Sequence, residues 1–243
     1  MFEVRASSSW ADLDAAIVRS IADRYRNIGE RELQILEAGC GQKWTLDLGD
    51  MKHRITGIDL DAHALEIRMT EKRDLHVAVV GDLTKVDLPH AAFDVVYCSY
   101  VLEHIDEADL ALQRMIDWLA PGGLLVLRVP DPETFRGFVT RVTPHWFHVA
   151  YYRWIKGKKN AGKPGHGPYK TVFHPVIWRD RLERFMRDRD LSCIGVYADT
   201  FRKEPGQRTG GFIMRQLTNG RIADAYNDLL YIFRAPTAAQ RAN

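Results

Sequence analysis

Five short apolar runs, Ile35–Ala38, Arg54–Ile58, Leu75–Val80, Phe93–Cys98 and Leu124–Val129, alternate along this chain with segments of helical periodicity. That alternation constrains the fold more than any other feature. Runs this compact suit strands buried on both faces of a parallel sheet. Strand, helix and strand in one sheet close as right-handed crossovers, so the carboxyl ends of the strands share one edge. The expected architecture is α/β, a Rossmann-like doubly wound and mostly parallel sheet.

The intervening helices are expected at Ala62–Lys72 and at Glu107–Leu119, the latter capped by Asp106, with a short one after Gly41 that Leu48-Gly49-Asp50 cuts off. Pro121-Gly122-Gly123 reads as the turn into the fifth strand. Ahead of them, Trp10, Leu13, Ile17, Ile21 and Tyr25 mark one face of a leading helix over 10–26 that packs on the sheet or covers its ligand. Behind them, 176–189 is amphipathic, with Trp178, Leu182, Phe185 and Met186 opposed by Arg179, Asp180, Glu183 and Arg187. Strands at 191–198 and 229–233 follow, separated by a loop at 206–211, and the tail after Pro236 is expected to fray.

Length bounds the organisation: 243 residues hold one such domain and an embellishment. We divide it into a leading helix or lid (1–30), a core (31–130), an insert (131–175) and a C-terminal helix with strands (176–243). A net charge of +2 argues for no nucleic-acid partner. Cys40, Cys98 and Cys193 are isolated in apolar runs and read as reduced thiols, and no ligand spacing, including that of His145, His148, His166 and His174, suggests a metal. With no apolar leader at the N-terminus and no run of about 18 apolar residues, the expectation is a cytoplasmic protein without a membrane span.

The ligand edge is announced by Glu37-Ala38-Gly39-Cys40-Gly41. Two glycines after a strand permit positive φ and let a ligand lie against bare backbone. The dinucleotide fingerprint is incomplete, because Lys43 and Trp44 stand where a third glycine is wanted. Asp59, about twenty residues on at the tip of the next strand, is placed to accept ribose hydroxyls, and Asp82 stands at the tip of the third.

Taken together, EAGCG, GIDLD, GDL, FDVVYCSYVLEHI and LAPGG, in that order between Leu33 and Val129, resemble the class I S-adenosylmethionine-dependent methyltransferases. The resemblance implies seven strands, the last antiparallel and inserted beside 191–198, with S-adenosyl-L-methionine as cofactor. It also implies roles by position. Glu37 with the backbone of Gly39, Cys40 and Gly41 would hold the methionine end, Asp59 and Leu60 the ribose side, Asp82 the adenine amino group, Leu83 the ring, and Ser99 would line the pocket. Lys43 departs from the glycine that many members keep.

The insert replaces clean periodicity with prolines, aromatics and histidines and is expected to cover the active face. Methyl transfer to a hydroxyl needs alignment in a dry pocket and a base, for which His104, His145 and His148 are the candidates. Asp131, Trp146, Lys158 and Lys159 are candidate acceptor contacts, and the basic stretch 156–165 reads either as a solvated loop or as a clamp for an anionic substrate. The chain carries no Asn or Asp followed by two prolines after the fourth strand, which lowers amide and base nitrogens as acceptors. The expected activity is therefore O-methylation of a small molecule or sugar-like glycan precursor. The rivals are an RNA or protein methyltransferase docking through the basic insert, a non-catalytic cofactor-binding protein, and, last, a nicotinamide oxidoreductase.

Overall fold

A computed structural model describes residues 2–163, 167–200, 216 and 227–241. The expected loop at 206–211 and His166 lie outside the described residues.

The apolar runs form strands β1 (Val4–Ser7), β2 (Leu33–Ala38), β3 (His53–Asp59), β4 (Val77–Val80), β5 (Phe93–Ser99), β6 (Leu119–Pro130), β7 (Ser192–Asp199) and β8 (Asp228–Arg234). Helices are α1 (Trp10–Asn27), α2 (Ala62–Ile67), α3 (Ala108–Trp118), α4 (Phe135–Val142), α5 (His145–Trp154), α6 (Arg179–Arg187) and α7 (Ala238–Arg241). They build one sheet in the order β1-β7-β8-β6-β5-β2-β3-β4. All pairings are parallel except those of β8, which runs antiparallel between β6 and β7. An eighth strand thus joins the expected seven: β1 pairs Val4–Ser7 with Val196–Asp199 at the sheet edge.

Two apolar layers cover the sheet. One gathers Leu36, Val96, Leu112, Met115, Trp118, Leu182 and Phe233, and the other packs Leu13, Ile17 and Ile21 of α1 against Ile35, Val95 and Val126. The face of α1 read from periodicity is the buried one, and Ser9 caps it by accepting from the Asp12 N–H at 3.1 Å.

Several local expectations change. No helix follows Gly41, because residues 42–52 run irregularly. Leu46 and Leu48, two apart, are both buried there as an extended chain would bury them. The helix expected over 62–72 leaves α-geometry at Arg68 and finishes as a π-turn, Arg68–Lys72. Glu107, not Asp106, occupies the N-cap of α3, without a side-chain bond. Pro121-Gly122-Gly123 makes no separate turn. It is taken into β6 as a bulge, since Phe93 faces Leu119 while Val95 already faces Leu124. The 176–189 helix divides at Trp178, which is extended (φ −64°, ψ 140°), into a 3₁₀ turn, Pro175–Ile177, and α6. Glu183, expected on the solvent side, is buried because its carboxylate accepts the Phe2 N–H at 2.9 Å beside β1. The insert contains α4 and α5, and the tail after Pro236 makes the short α7.

Candidate functional site

Register brings the tips of β2, β3, β4 and β5 together at one edge. At the first tip the chain turns through Gly39 (φ 71°) and Gly41 (φ 54°). The N–H groups of Gly39 and Cys40 both donate to the Ile58 carbonyl, at 2.8 and 3.0 Å, which pins the turn to β3. A Cβ on Gly39 would stand 2.3 Å from Val101 Cγ2, whereas nothing lies within 4 Å of one on Gly41. The first glycine serves packing and the second leaves open space in the crevice.

Asp59 completes the turn. Its Oδ2 accepts the Gly41 N–H at 2.8 Å and its Oδ1 the Asp61 N–H at 2.9 Å. A carboxylate oxygen can accept twice, so each retains capacity for a ribose hydroxyl. Beside it, Leu60 is 74 % and Val80 62 % exposed, and Val80 is the register partner of Asp59. Two exposed apolar side chains next to an acid provide a ledge for a purine. Asp82 ends this row, its Oδ1 accepting the Thr84 N–H and hydroxyl at 2.9 and 2.7 Å, which holds the carboxyl below its ordinary range. Leu83 is buried under it and Ser99 is half-buried at the end of β5. Bare glycine backbone, an acid with spare lone pairs and an apolar ledge fit a nucleoside cofactor.

Glu37 stands next to last in β2, just ahead of that turn. It is buried, and Arg68 Nη2 donates to its Oε2 at 2.9 Å. The same guanidinium donates through Nη1 to the Cys40 carbonyl at 2.9 Å and through Nε to Asp74, whose other oxygen accepts the Trp44 N–H at 3.2 Å. One fully buried arginine therefore fixes the loop from 37 to 44, in the region where Lys43 and Trp44 replace the fingerprint's third glycine and a short helix was expected. Burial pushes the Glu37 carboxyl up to about 7, and its bond to Arg68 opposes that shift. Sequence reasoning missed Arg68, because nothing in its spacing signals the π-turn that aims it inward.

A cavity of about 690 Å³ opens at the ends of β5 and β6, under α4 and α5. Tyr100, Tyr151, Tyr152 and Tyr169 supply ring walls, and His104, His148, Asp131 and Asp228 supply polar ones. Tyr100 adopts φ 57° and its hydroxyl donates to Asp228 Oδ2 at 2.8 Å. Asp131 is already engaged, accepting from Arg179 at 2.9 Å and from the Glu133 N–H at 3.0 Å, and burial raises its pKa. Sequence reasoning passed over Tyr100 although it directly follows Ser99.

The histidines separate by position. His104 Nδ1 lies 2.8 Å from the Lys170 carbonyl, which can only accept, so Nδ1 carries the proton and Nε2 keeps a lone pair. Burial lowers its pKa and favours the neutral ring. The Thr143 hydroxyl donates to the Val139 carbonyl at 2.6 Å and therefore accepts from His148 Nε2 at 2.8 Å, leaving Nδ1 as acceptor. His145 is exposed at the start of α5 and does not line the cavity. Trp146, Lys158 and Lys159 also lie outside its walls, with the Lys158 ammonium 5.3 Å from the Tyr152 ring centre. His174 accepts the Val176 N–H at 3.3 Å and caps the 3₁₀ turn ahead of α6. The three cysteines are free thiols. Among the described residues there is no metal-binding cluster and no helix long and apolar enough to cross a membrane.

Such a sheet, with its glycine turn and row of acids, defines the Rossmann-like class of nucleoside-cofactor proteins. Residues 36–127 match the family described as Methyltransferase domain, in keeping with the resemblance of the chain to the class I S-adenosylmethionine-dependent methyltransferases. The cofactor of that class is S-adenosyl-L-methionine. The chain is 29% identical over 125 residues to a malonyl-[acyl-carrier protein] O-methyltransferase of Serratia marcescens, covering 50% of this chain and 48% of that protein. It is 34% identical over 104 residues to a probable S-adenosylmethionine-dependent methyltransferase of Mycolicibacterium smegmatis, covering 42% and 39%. It thus spans half or less of the length of these curated relatives. In fold it is similar to magnesium protoporphyrin IX methyltransferase from Synechocystis, solved with bound S-adenosylhomocysteine, at a TM-score of 0.55 and 14% identity over 93% of this chain and 82% of that one.

Proposed function

We propose that this chain is an enzyme of the cytoplasm that methylates a hydroxyl of a small molecule or sugar-like glycan precursor, with S-adenosyl-L-methionine as donor. The observation that carries the acceptor class is the cavity beyond the cofactor edge, whose tyrosine rings can stack on a sugar and whose His104, His148 and Asp228 can bond its hydroxyls. When bound, the cofactor supplies an activated methyl group for in-line displacement.

The chain's own residues do the rest. Asp59 holds the ribose and the backbone at Gly39–Gly41 the methionine end, with Leu60, Asp82, Leu83 and Ser99 around the cofactor, while Glu37 acts through its bond to Arg68. His104 Nε2 is the favoured base. It takes the hydroxyl proton as the new carbon–oxygen bond forms, and its Nδ1–H stays on the Lys170 carbonyl, which steadies the ring. His148 is the second candidate.

Transfer of labelled methyl from the cofactor into a panel of glycosides and small hydroxy compounds tests this reading, and Asp59→Ala should abolish it. Full turnover by Asp59→Ala would sink the cofactor assignment. Label found only on amine nitrogens would replace the oxygen acceptor.

A further inference from the structure

Apart from the Leu60 and Val80 ledge at the cofactor edge and Phe147 and Tyr169 on the cavity wall, the exposed large apolar side chains include Val142, Trp146, Trp154 and Ile155, which lie on α4, α5 and the residue after α5. Trp154 is 82 % exposed and Trp146 67 %. Such clustering marks an interaction surface, unlike isolated exposed residues. α5 has two apolar sides. Tyr151, Tyr152 and His148 wall the cavity, while Trp146 and Trp154, a little over two turns apart, lie outside it.

Charge singles out the same segment. Residues 134–179 carry nine of the chain's 34 lysines and arginines and none of its 32 acids. Arg153, Lys156, Lys158, Lys159 and Lys163, at and beyond the end of α5, are all exposed. Solvation accounts for the lysines but not for two bare indoles. Indoles with aliphatic neighbours and a lysine fringe match the boundary between headgroups and acyl chains of an anionic bilayer. A second copy of this face would repel the first, since both are positive.

We propose that the outer side of α4–α5 docks in the plane of an anionic lipid bilayer, Trp146 and Trp154 entering the interface and the lysines meeting acidic headgroups. The helix that walls the acceptor cavity then lies at the lipid surface. This goes beyond the proposed reaction and does not depend on it.

The test is co-sedimentation of the purified chain with phosphatidylcholine vesicles, with and without phosphatidylglycerol, at low and high salt. Partitioning should be roughly tenfold or more stronger on the anionic vesicles and weaken with salt. Trp154→Glu should cut it by roughly tenfold or more, and Lys156→Glu with Lys163→Glu should remove the preference for phosphatidylglycerol. Both variants are on exposed positions and should bind S-adenosylhomocysteine like the parent, which controls for folding. No binding to anionic vesicles overturns the proposal, as does binding that ignores the Trp154 change. Salt-dependent binding of single-stranded RNA without vesicle binding would reassign the face to nucleic acid.

Discussion

Gly39→Ala is the sharpest probe of the cofactor turn, because two separable costs meet at one methyl group. Its backbone sits at φ 71°, where an L side chain costs about 1–2 kcal/mol. The added Cβ would also fall 2.3 and 2.8 Å from the two methyls of Val101. Valine is stiff about χ1, so this contact forces backbone or side-chain movement costing about 1–3 kcal/mol. The expected loss is therefore about 2–5 kcal/mol by urea unfolding. Adding Val101→Ala should restore the packing share and leave about 1–2 kcal/mol from the backbone, a favourable coupling in the double-mutant cycle. Gly41→Ala meets nothing within 4 Å, so it should cost stability only the backbone share while weakening S-adenosylhomocysteine in calorimetric titration. A Gly39→Ala protein within about 0.5 kcal/mol of the parent, or one that Val101→Ala does not relieve, would refute this account of the turn.

Arg68→Met should cost about 3–5 kcal/mol in urea unfolding, since it strands Glu37 and the Cys40 carbonyl together, and S-adenosylhomocysteine affinity should fall with it. Glu37 has its carboxyl raised from an ordinary 4.5 to about 7 by burial. Its favourable share of stability is therefore full below 4.5 and is lost, on the order of 3 kcal/mol, as pH rises through 7. Glu37→Gln should remove that fall, read as the difference between the two proteins' unfolding free energies at about pH 5 and about pH 8. For His104 the ring pKa lies below its ordinary 6.5, so the acid limb of the pH–rate profile should fall below 6.5. His104→Gln should erase the limb and lower kcat by about 10²-fold or more with S-adenosylhomocysteine binding unchanged.

The strands and the acids at their tips were legible because each depends on a local run of residues: Ile35–Ala38 and Phe93–Cys98 are apolar but for Glu37 and Asp94, and Asp59 and Asp82 stop such runs. What was not legible depends on contacts distant in sequence. Glu183 reads as a surface acid until the Phe2 N–H, 181 residues away, is brought to it. β1 is only four residues and becomes a strand because β7 offers an edge. Arg68 resembles any helix arginine until the π-turn points it at Glu37 and Cys40. The insert hid two helices because α5 is apolar on two sides and so lacks a single stripe.

The placement of β8 between β6 and β7 sets an order of assembly. A chain leaving the ribosome has β2 to β6, and with them the whole cofactor edge, in hand once residue 130 has emerged. β7 cannot join that sheet on its own account, for its bonds run only to β1 and β8. The first strand made must wait for the seventh, and the seventh for the last. The half that grips the nucleoside can thus mature early, while the part of the acceptor cavity that carries Asp228 closes only when residues 228–234 slide into the gap.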